Sequence, residues 1–110
     1  MAKATVLVYT DCTDSAREKE FNGWYDNTHV PDILEAPGFV GCTRYELMGN
    51  PGPGQGKYLA VYDVESNDLP SALAGLPQRV AQLGAQKRII DCIRLVSVTA
   101  CRELGERQTA

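Results

Sequence analysis

The sequence has 110 residues, of which 44% are hydrophobic and 23% are charged, and its formal net charge is −3 at pH 7. This composition is typical of a soluble globular protein, so we expect one domain over residues 1–110 with a frayed tail at 103–110. The basic residues are scattered, which argues against a nucleic-acid partner. No apolar run approaches the roughly 20 residues that span a bilayer, and no signal-peptide layout is present, so we expect no membrane partner and a cytoplasmic location.

The first third of the chain predicts a strand followed by a helix. A β-branched and aromatic run over residues 5–10 predicts the strand. Asp14 and Ser15 then offer N-cap oxygens to the helix. One side of this helix carries four residues at helical spacing: Phe21, Trp24, Tyr25 and Thr28. Pro31 disfavours α geometry at the residue before it, so we expect the regular helix to end near His29, with another helical turn over 32–36 as an open alternative.

The rest of the chain predicts three strands and a second helix. In order, these are a strand over 39–48, a Gly- and Pro-rich loop over 49–56, a strand over 58–64, a helix over 69–83 and a strand over 88–101. Alternation in the first of these strands places Phe39 and Tyr45 on one face and Arg44 on the other. We interpret the loop as a flexible hairpin connection and a candidate lid, and we expect Pro77 to weaken the second helix.

The predicted order β-α-β-β-α-β is that of the ferredoxin-like α+β fold, a four-stranded antiparallel sheet with two helices on one face. The other face of the sheet retains Tyr, Leu and Val side chains, which are costly to leave in water. A second copy of the chain is the simplest cover for them. We therefore predict a homodimer.

The four cysteines and the single His do not form a zinc-ligand set, because no Cys-x-x-Cys pair is present, and we expect no metal site. Cys42 and Cys92 fall in predicted strands, where Cys usually packs as a small hydrophobe. Cys12 falls at a strand end, and a reactive thiol there stays an open alternative.

The segment around the only Trp and the only His resembles a motif of the dimeric α/β-barrel superfamily, and of small EthD-like proteins in particular. The residues that carry the resemblance are Glu20, Phe21, Trp24, Tyr25, His29, Pro31, Pro37, Gly38, Phe39, Arg44 and Tyr45. The resemblance implies a ferredoxin-like homodimer with a pocket near His29 and no cofactor. It leaves the reaction open, because members include polyketide cyclases, lactone isomerases, dehydratase-like proteins, quinol-forming monooxygenases and haem-degrading enzymes.

His29 is the leading candidate for a catalytic base, because its unperturbed pKa lies near neutral pH. Tyr25 and Asp26 precede it by about one helical turn and complete the predicted catalytic set. Either Asp26 or Asp32 is placed to orient the imidazole, and the sequence does not choose between them. The alternative for His29 is a helix-terminal residue that caps backbone carbonyls.

Six further residues are candidates for substrate binding: Tyr9, Asn22, Trp24, Asp32, Tyr45 and Tyr62. The three strand tyrosines are expected to line the open face of the sheet, where they suit an aromatic or polyketide-like ligand. Each candidate has a plainer interpretation. Trp24 fits the core, Asn22 fits a solvated helix face, Asp32 fits a cap of the short turn that follows it, and the tyrosines fit dimer-interface packing.

The sequence thus favours a small cofactor-independent enzyme of the lyase, isomerase or cyclase type. In this hypothesis His29 removes a proton next to the carbonyl of an aromatic or cyclic metabolite, while Tyr25 or a strand Tyr donates to the developing oxyanion. Two alternatives remain. One is a cofactorless or haem-degrading monooxygenase, and the other is a non-catalytic dimeric protein that binds a small ligand.

Overall fold

In the computed structural model, which describes residues 1–110, four strands form one antiparallel sheet. They are β1 (Ala2–Cys12), β2 (Phe39–Glu46), β3 (Tyr58–Ser66) and β4 (Ile93–Arg102). Their order in the sheet is β2-β3-β1-β4, so β1 is a central strand that pairs with both β3 and β4. This is the ferredoxin-like topology that the sequence predicts.

The helical segments cover one face of the sheet. They are a 3₁₀ turn (Ser15–Arg17), α1 (Glu18–Trp24), a π turn (Tyr25–His29), α2 (Val30–Ile33) and α3 (Leu69–Ala85). Asp14 caps the first turn as predicted, because its side chain accepts a hydrogen bond from the Ala16 N–H at 3.0 Å. α3 is continuous through Pro77, and no helix in the structure is both long and apolar enough to cross a membrane.

The first helical segment does not end near His29, which corrects the prediction. It passes through the π turn and continues to Ile33, and Val30 has helical dihedral angles of φ −59° and ψ −50°. The Val30 N–H donates to the carbonyl of Tyr25, five residues earlier. The wider turn shifts the hydrogen-bond register by one residue, so Pro31 begins a new helical turn instead of breaking the old one.

Tyr62 lies on the helix side of the sheet, so the prediction that it shares the open face with Tyr9 and Tyr45 is wrong. Tyr62 pairs with Val6 across the strands, and both side chains are buried. Tyr9 and Tyr45 both pair with Leu59 and therefore lie on the opposite face. Alternation fixes which residues of one strand share a face, but it leaves the pairing between strands undetermined.

Two irregularities account for the remaining differences from the predicted strands. A bulge after Phe39 turns that side chain to the helix side, the same side as Arg44. β4 begins at Ile93 and not at residue 88, because Arg88 lies in the turn that closes α3, where its N–H donates to the Leu83 carbonyl at 2.9 Å. Cys92, which precedes the strand, is nevertheless buried.

The core lies between the sheet and the helical segments. Its largest fully buried side chains are Tyr25, Tyr62, Phe21, Ile33, Leu83, Val6 and Val64. The opposite face of the sheet has no covering element in the monomer. It presents the half-buried Leu7, Tyr9, Leu59 and Val61 together with Tyr45, which is 53% exposed.

Candidate functional site

A cavity of about 610 Å³ lies between the helix side of the sheet and the helical segments. Four of its lining residues have polar side chains, namely Thr10, Tyr25, His29 and Tyr62. The others are apolar, and no charged side chain lines the cavity. The exposed side chains of Val80, Leu95 and Val98 lie along one side of it, between α3 and β4. The cavity therefore suits an uncharged, largely apolar molecule that carries few polar atoms.

Aromatic neighbours hold the His29 ring in place. Its ring stacks on Trp24, with centroids 4.6 Å apart and an interplanar angle of 20°, and it meets the edge of Tyr25 at 4.9 Å. Trp24 is itself anchored, because its indole N–H donates to the Arg88 carbonyl at 3.0 Å. The imidazole is thus positioned by packing, without a hydrogen bond at its buried Nδ1 atom.

The environment of His29 keeps the imidazole neutral. Burial lowers its pKa to about 4, the Arg44 charge acts in the same direction, and the Asp32 carboxylate partly opposes both. The side chain is only 8% exposed and lines the cavity. At neutral pH His29 therefore presents an unprotonated ring with a basic nitrogen, which is the state required of a proton acceptor.

The two phenols of the cavity are proton donors throughout the neutral range. Burial raises the pKa of Tyr25 to about 12, although Tyr62 and the Arg44 charge oppose this effect. Burial and the neighbouring Tyr25 raise the pKa of Tyr62 well above its usual range. The Tyr62 hydroxyl is buried and has no hydrogen-bond partner in the protein. A buried, unpaired hydroxyl is costly, so a polar atom of a ligand is a favourable partner for it.

Neither predicted carboxylate orients the imidazole through a hydrogen bond. Asp26 binds Arg44, with Oδ1 at 2.9 Å from Nη1. Asp32 is buried and accepts two hydrogen bonds from Arg88, from Nε at 2.6 Å and from Nη2 at 3.1 Å. Asp32 influences His29 only through its charge. No three His, Cys, Asp or Glu side chains come together in a group that could hold a metal ion.

The remaining predicted binding residues are separated by the sheet. Tyr9 and Tyr45 lie on the open face, away from the cavity. Trp24 stacks on the ring of His29 and does not itself line the cavity. Asn22 uses both ends of its side chain within the protein: its amide donates to the Glu18 carbonyl and its oxygen accepts from Arg44. It does not line the cavity.

Sequence reasoning missed Thr10 and the apolar wall contributed by α3 and β4. Thr10 is buried and alternates with Val6 and Val8 on the helix side of β1. Leu76 and Val80 of α3 and Ile93 at the start of β4 form part of the wall. The signal was present in the alternation of β1 and in the spacing of the α3 leucines, which predicted a strand and a helix but not a shared cavity wall.

The fold and the cavity together define a ferredoxin-like α+β protein with one buried His beside an apolar cavity. No protein-family model matches the chain, and no curated protein matches it in sequence. Solved structures do match. HapK from Hahella chejuensis is 18% identical with a TM-score of 0.66, and the match covers 97% of this chain and 98% of HapK. An ethyl tert-butyl ether D (EthD) family protein from Bacillus halodurans is 18% identical with a TM-score of 0.54, covering 98% of this chain and 100% of its own.

Two further solved structures share the fold. A dimeric ferredoxin-like protein from an uncultured marine organism is 11% identical with a TM-score of 0.63, and the match covers 97% of this chain and 100% of its own. A monooxygenase from the gene ActVA-Orf6 of Streptomyces coelicolor, solved with the ligand Nanaomycin D, is 15% identical with a TM-score of 0.50, covering 99% and 92%. Similarity at these identities establishes the fold. It confirms the resemblance to ferredoxin-like dimeric proteins, including an EthD family member.

Proposed function

We propose that the cavity binds an uncharged aromatic or cyclic carbonyl compound and that His29 accepts a proton from it. The observation that carries the proposal is the neutral, packed imidazole of His29 in an apolar cavity that it shares with two un-ionised phenols. A charged substrate would lose its hydration there without gaining a partner of opposite charge, which excludes it on energetic grounds.

The proposed reaction begins with proton transfer at a carbon next to the carbonyl. The C–H proton moves to His29, and the electron pair of that bond moves onto the carbonyl oxygen. The hydroxyl of Tyr25 or Tyr62 donates a hydrogen bond to the resulting oxyanion. Return of the proton to a different carbon gives an isomer, and expulsion of a leaving group gives a lyase product. Although a His with a pKa of about 4 is a weak base, the adjacent oxyanion favours its protonated form.

A second candidate function shares the first step. The named relative from Streptomyces is a monooxygenase with a bound ligand, which favours an oxygen-dependent reaction on the same fold. In that case the deprotonated phenolic substrate reacts with O₂, and a C–H group para to the hydroxyl becomes a carbonyl with release of one water. The substrate is oxidised to a quinone and O₂ is reduced. The requirement for His29 as proton acceptor is the same.

The roles of the phenols are tested with 2-tetralone, an uncharged bicyclic ketone with an acidic C–H group. We expect the protein to accelerate exchange of the C1 protons for deuterium in D₂O, followed by NMR. Tyr25→Phe should reduce this exchange by about tenfold or more, because it removes a donor to the oxyanion. Tyr45→Phe makes the same chemical change on the opposite face of the sheet and should leave the rate at its wild-type value. Equal rates for both variants would contradict a catalytic role for Tyr25.

We also propose that the chain forms a homodimer through the open face of the sheet, as expected for the apolar side chains left there. A named relative with this fold is dimeric, which supports the proposal. Leu59 lies between Tyr9 and Tyr45 on that face, so Leu59→Asp would bury a carboxylate in the interface. We expect this variant to elute with half the mass in light-scattering chromatography. Met48→Asp, at a fully exposed loop position, is the matched control and should remain dimeric.

A further inference from the structure

Arg44 brings a positive charge to the helix side of β2, although its side chain is only 14% exposed. Charged side chains are rarely buried to this extent unless their contacts require it. Arg44 does not line the cavity, and the proposed reaction does not use it. Its place in the structure therefore calls for another explanation.

The guanidinium group of Arg44 contacts three side chains on α1 and the π turn. Its Nη1 donates to Asp26 Oδ1 at 2.9 Å, and its Nη2 donates to Asn22 Oδ1 at 2.9 Å. Its central carbon lies 4.1 Å from the centre of the Tyr25 ring, in a cation–π contact. Asn22 is fixed for this task, because its amide group donates to the Glu18 carbonyl at 3.0 Å.

These contacts fall where the backbone departs from the regular helix. Tyr25 and Asp26 begin the π turn, and the Tyr25 carbonyl accepts the hydrogen bond that defines it. The Tyr25 ring is held between the Arg44 guanidinium and the edge contact with His29. Arg44 thus ties a strand of the sheet to the turn that carries both Tyr25 and His29.

We propose that Arg44 is a positioning residue for the cavity, which clamps the π turn to β2 and fixes the ring of Tyr25 so that its hydroxyl meets the substrate oxygen. This inference rests on the proposed function of the cavity. Only arginine satisfies the geometry, because its planar group donates to two acceptors while stacking on a ring. Lysine supplies the charge, but it has neither the planar group nor its fixed pair of donor directions. The contacts, and not the charge alone, are therefore what the site requires.

The test compares Arg44→Lys with Arg94→Lys, a matched change at an exposed arginine that pairs with Asp11. NMR of ¹³C-labelled tyrosine rings gives the rate of ring flipping of Tyr25, and exchange of 2-tetralone gives the rate of proton transfer. We expect Arg44→Lys to speed the flipping of Tyr25 and to slow exchange by about tenfold. In a Tyr25→Phe background the same substitution should have little effect on exchange, because the hydroxyl that Arg44 positions is gone. Arg94→Lys should change neither rate.

An unchanged flipping rate in Arg44→Lys would overturn the inference, and so would an equal loss of exchange in both backgrounds, which is the result expected of a purely structural arginine. If Arg44→Lys does not fold, Asp26→Ala removes one of the two side-chain hydrogen-bond acceptors of Arg44 and is expected to act in the same direction. Failure of the proposed function is recognised separately, because the wild-type protein itself would then show no exchange. The flipping rate alone would then decide whether Arg44 holds Tyr25.

Discussion

Replacing His29 with Asn should lower the rate of 2-tetralone proton exchange by about 10²–10⁴-fold, the usual contribution of a positioned general base. Asn is polar and close to His in size, but it has no basic nitrogen. Binding of 2-tetralone should stay close to wild type, because the apolar wall of the cavity is unchanged. Isothermal titration calorimetry measures this binding in the wild type and in the variant.

The pH dependence of exchange provides an internal check. Since the pKa of His29 is about 4, the catalysed rate should rise with pH through that region and then remain level to pH 7. Free imidazole at the same concentration gives the background rate. An exchange rate that survives in His29→Asn would contradict the assignment of the base, and binding without exchange in the wild type would favour a non-catalytic ligand-binding protein.

The second large effect concerns stability. Lowering the pH from 7.5 to 5 should reduce the free energy of unfolding by about 2 kcal/mol more in the wild type than in His29→Asn. In the unfolded chain His29 titrates near pH 6.5, whereas in the folded protein its pKa is about 4. Between these values the unfolded state binds more protons, so acidification favours unfolding. The stabilisation is complete above pH 6.5 and is lost as the pH falls towards 4.

Urea unfolding of both proteins at the two pH values measures this difference. The carboxylates that also titrate in acid are common to both proteins, and His29 is the only His, so the difference isolates the imidazole. Parallel losses of stability in the two proteins would mean that the pKa of His29 in the folded protein is close to its value in the unfolded chain. That result would contradict the buried, neutral imidazole on which the proposed chemistry depends.

The fold was predictable because each element leaves a local signature. The β-branched run of β1, the Asp14 cap and the alternation in β3 each specify a structure without reference to the rest of the chain. The end of the first helix was not predictable in this way. A proline at this position usually ends a helix. Here the inserted π turn lets the helical segment continue to Ile33, and the sequence carries no signal that predicts this turn.

In the candidate site, the sequence predicted His29 and Tyr25 but not how the residues around them are arranged. His29 and Tyr25 stand out by residue type and by helical spacing, and the structure brings them together at the cavity. Tyr62 was placed on the wrong face, because the register of β3 against β1 depends on long-range pairing. For the same reason the sequence did not predict the contacts of Arg44, because its partners on α1 and the π turn lie about twenty residues earlier in the chain.

The most direct test of the central claim is a crystal structure of the protein with 2-tetralone bound. The account predicts the bicyclic ring in the cavity between the sheet and α3. It also predicts the carbonyl oxygen within hydrogen-bond distance of Tyr25 or Tyr62, and the acidic C–H group facing His29. Ligand bound on the open face of the sheet, or in the cavity with its acidic C–H group turned away from His29 and its carbonyl away from both phenols, would contradict the account.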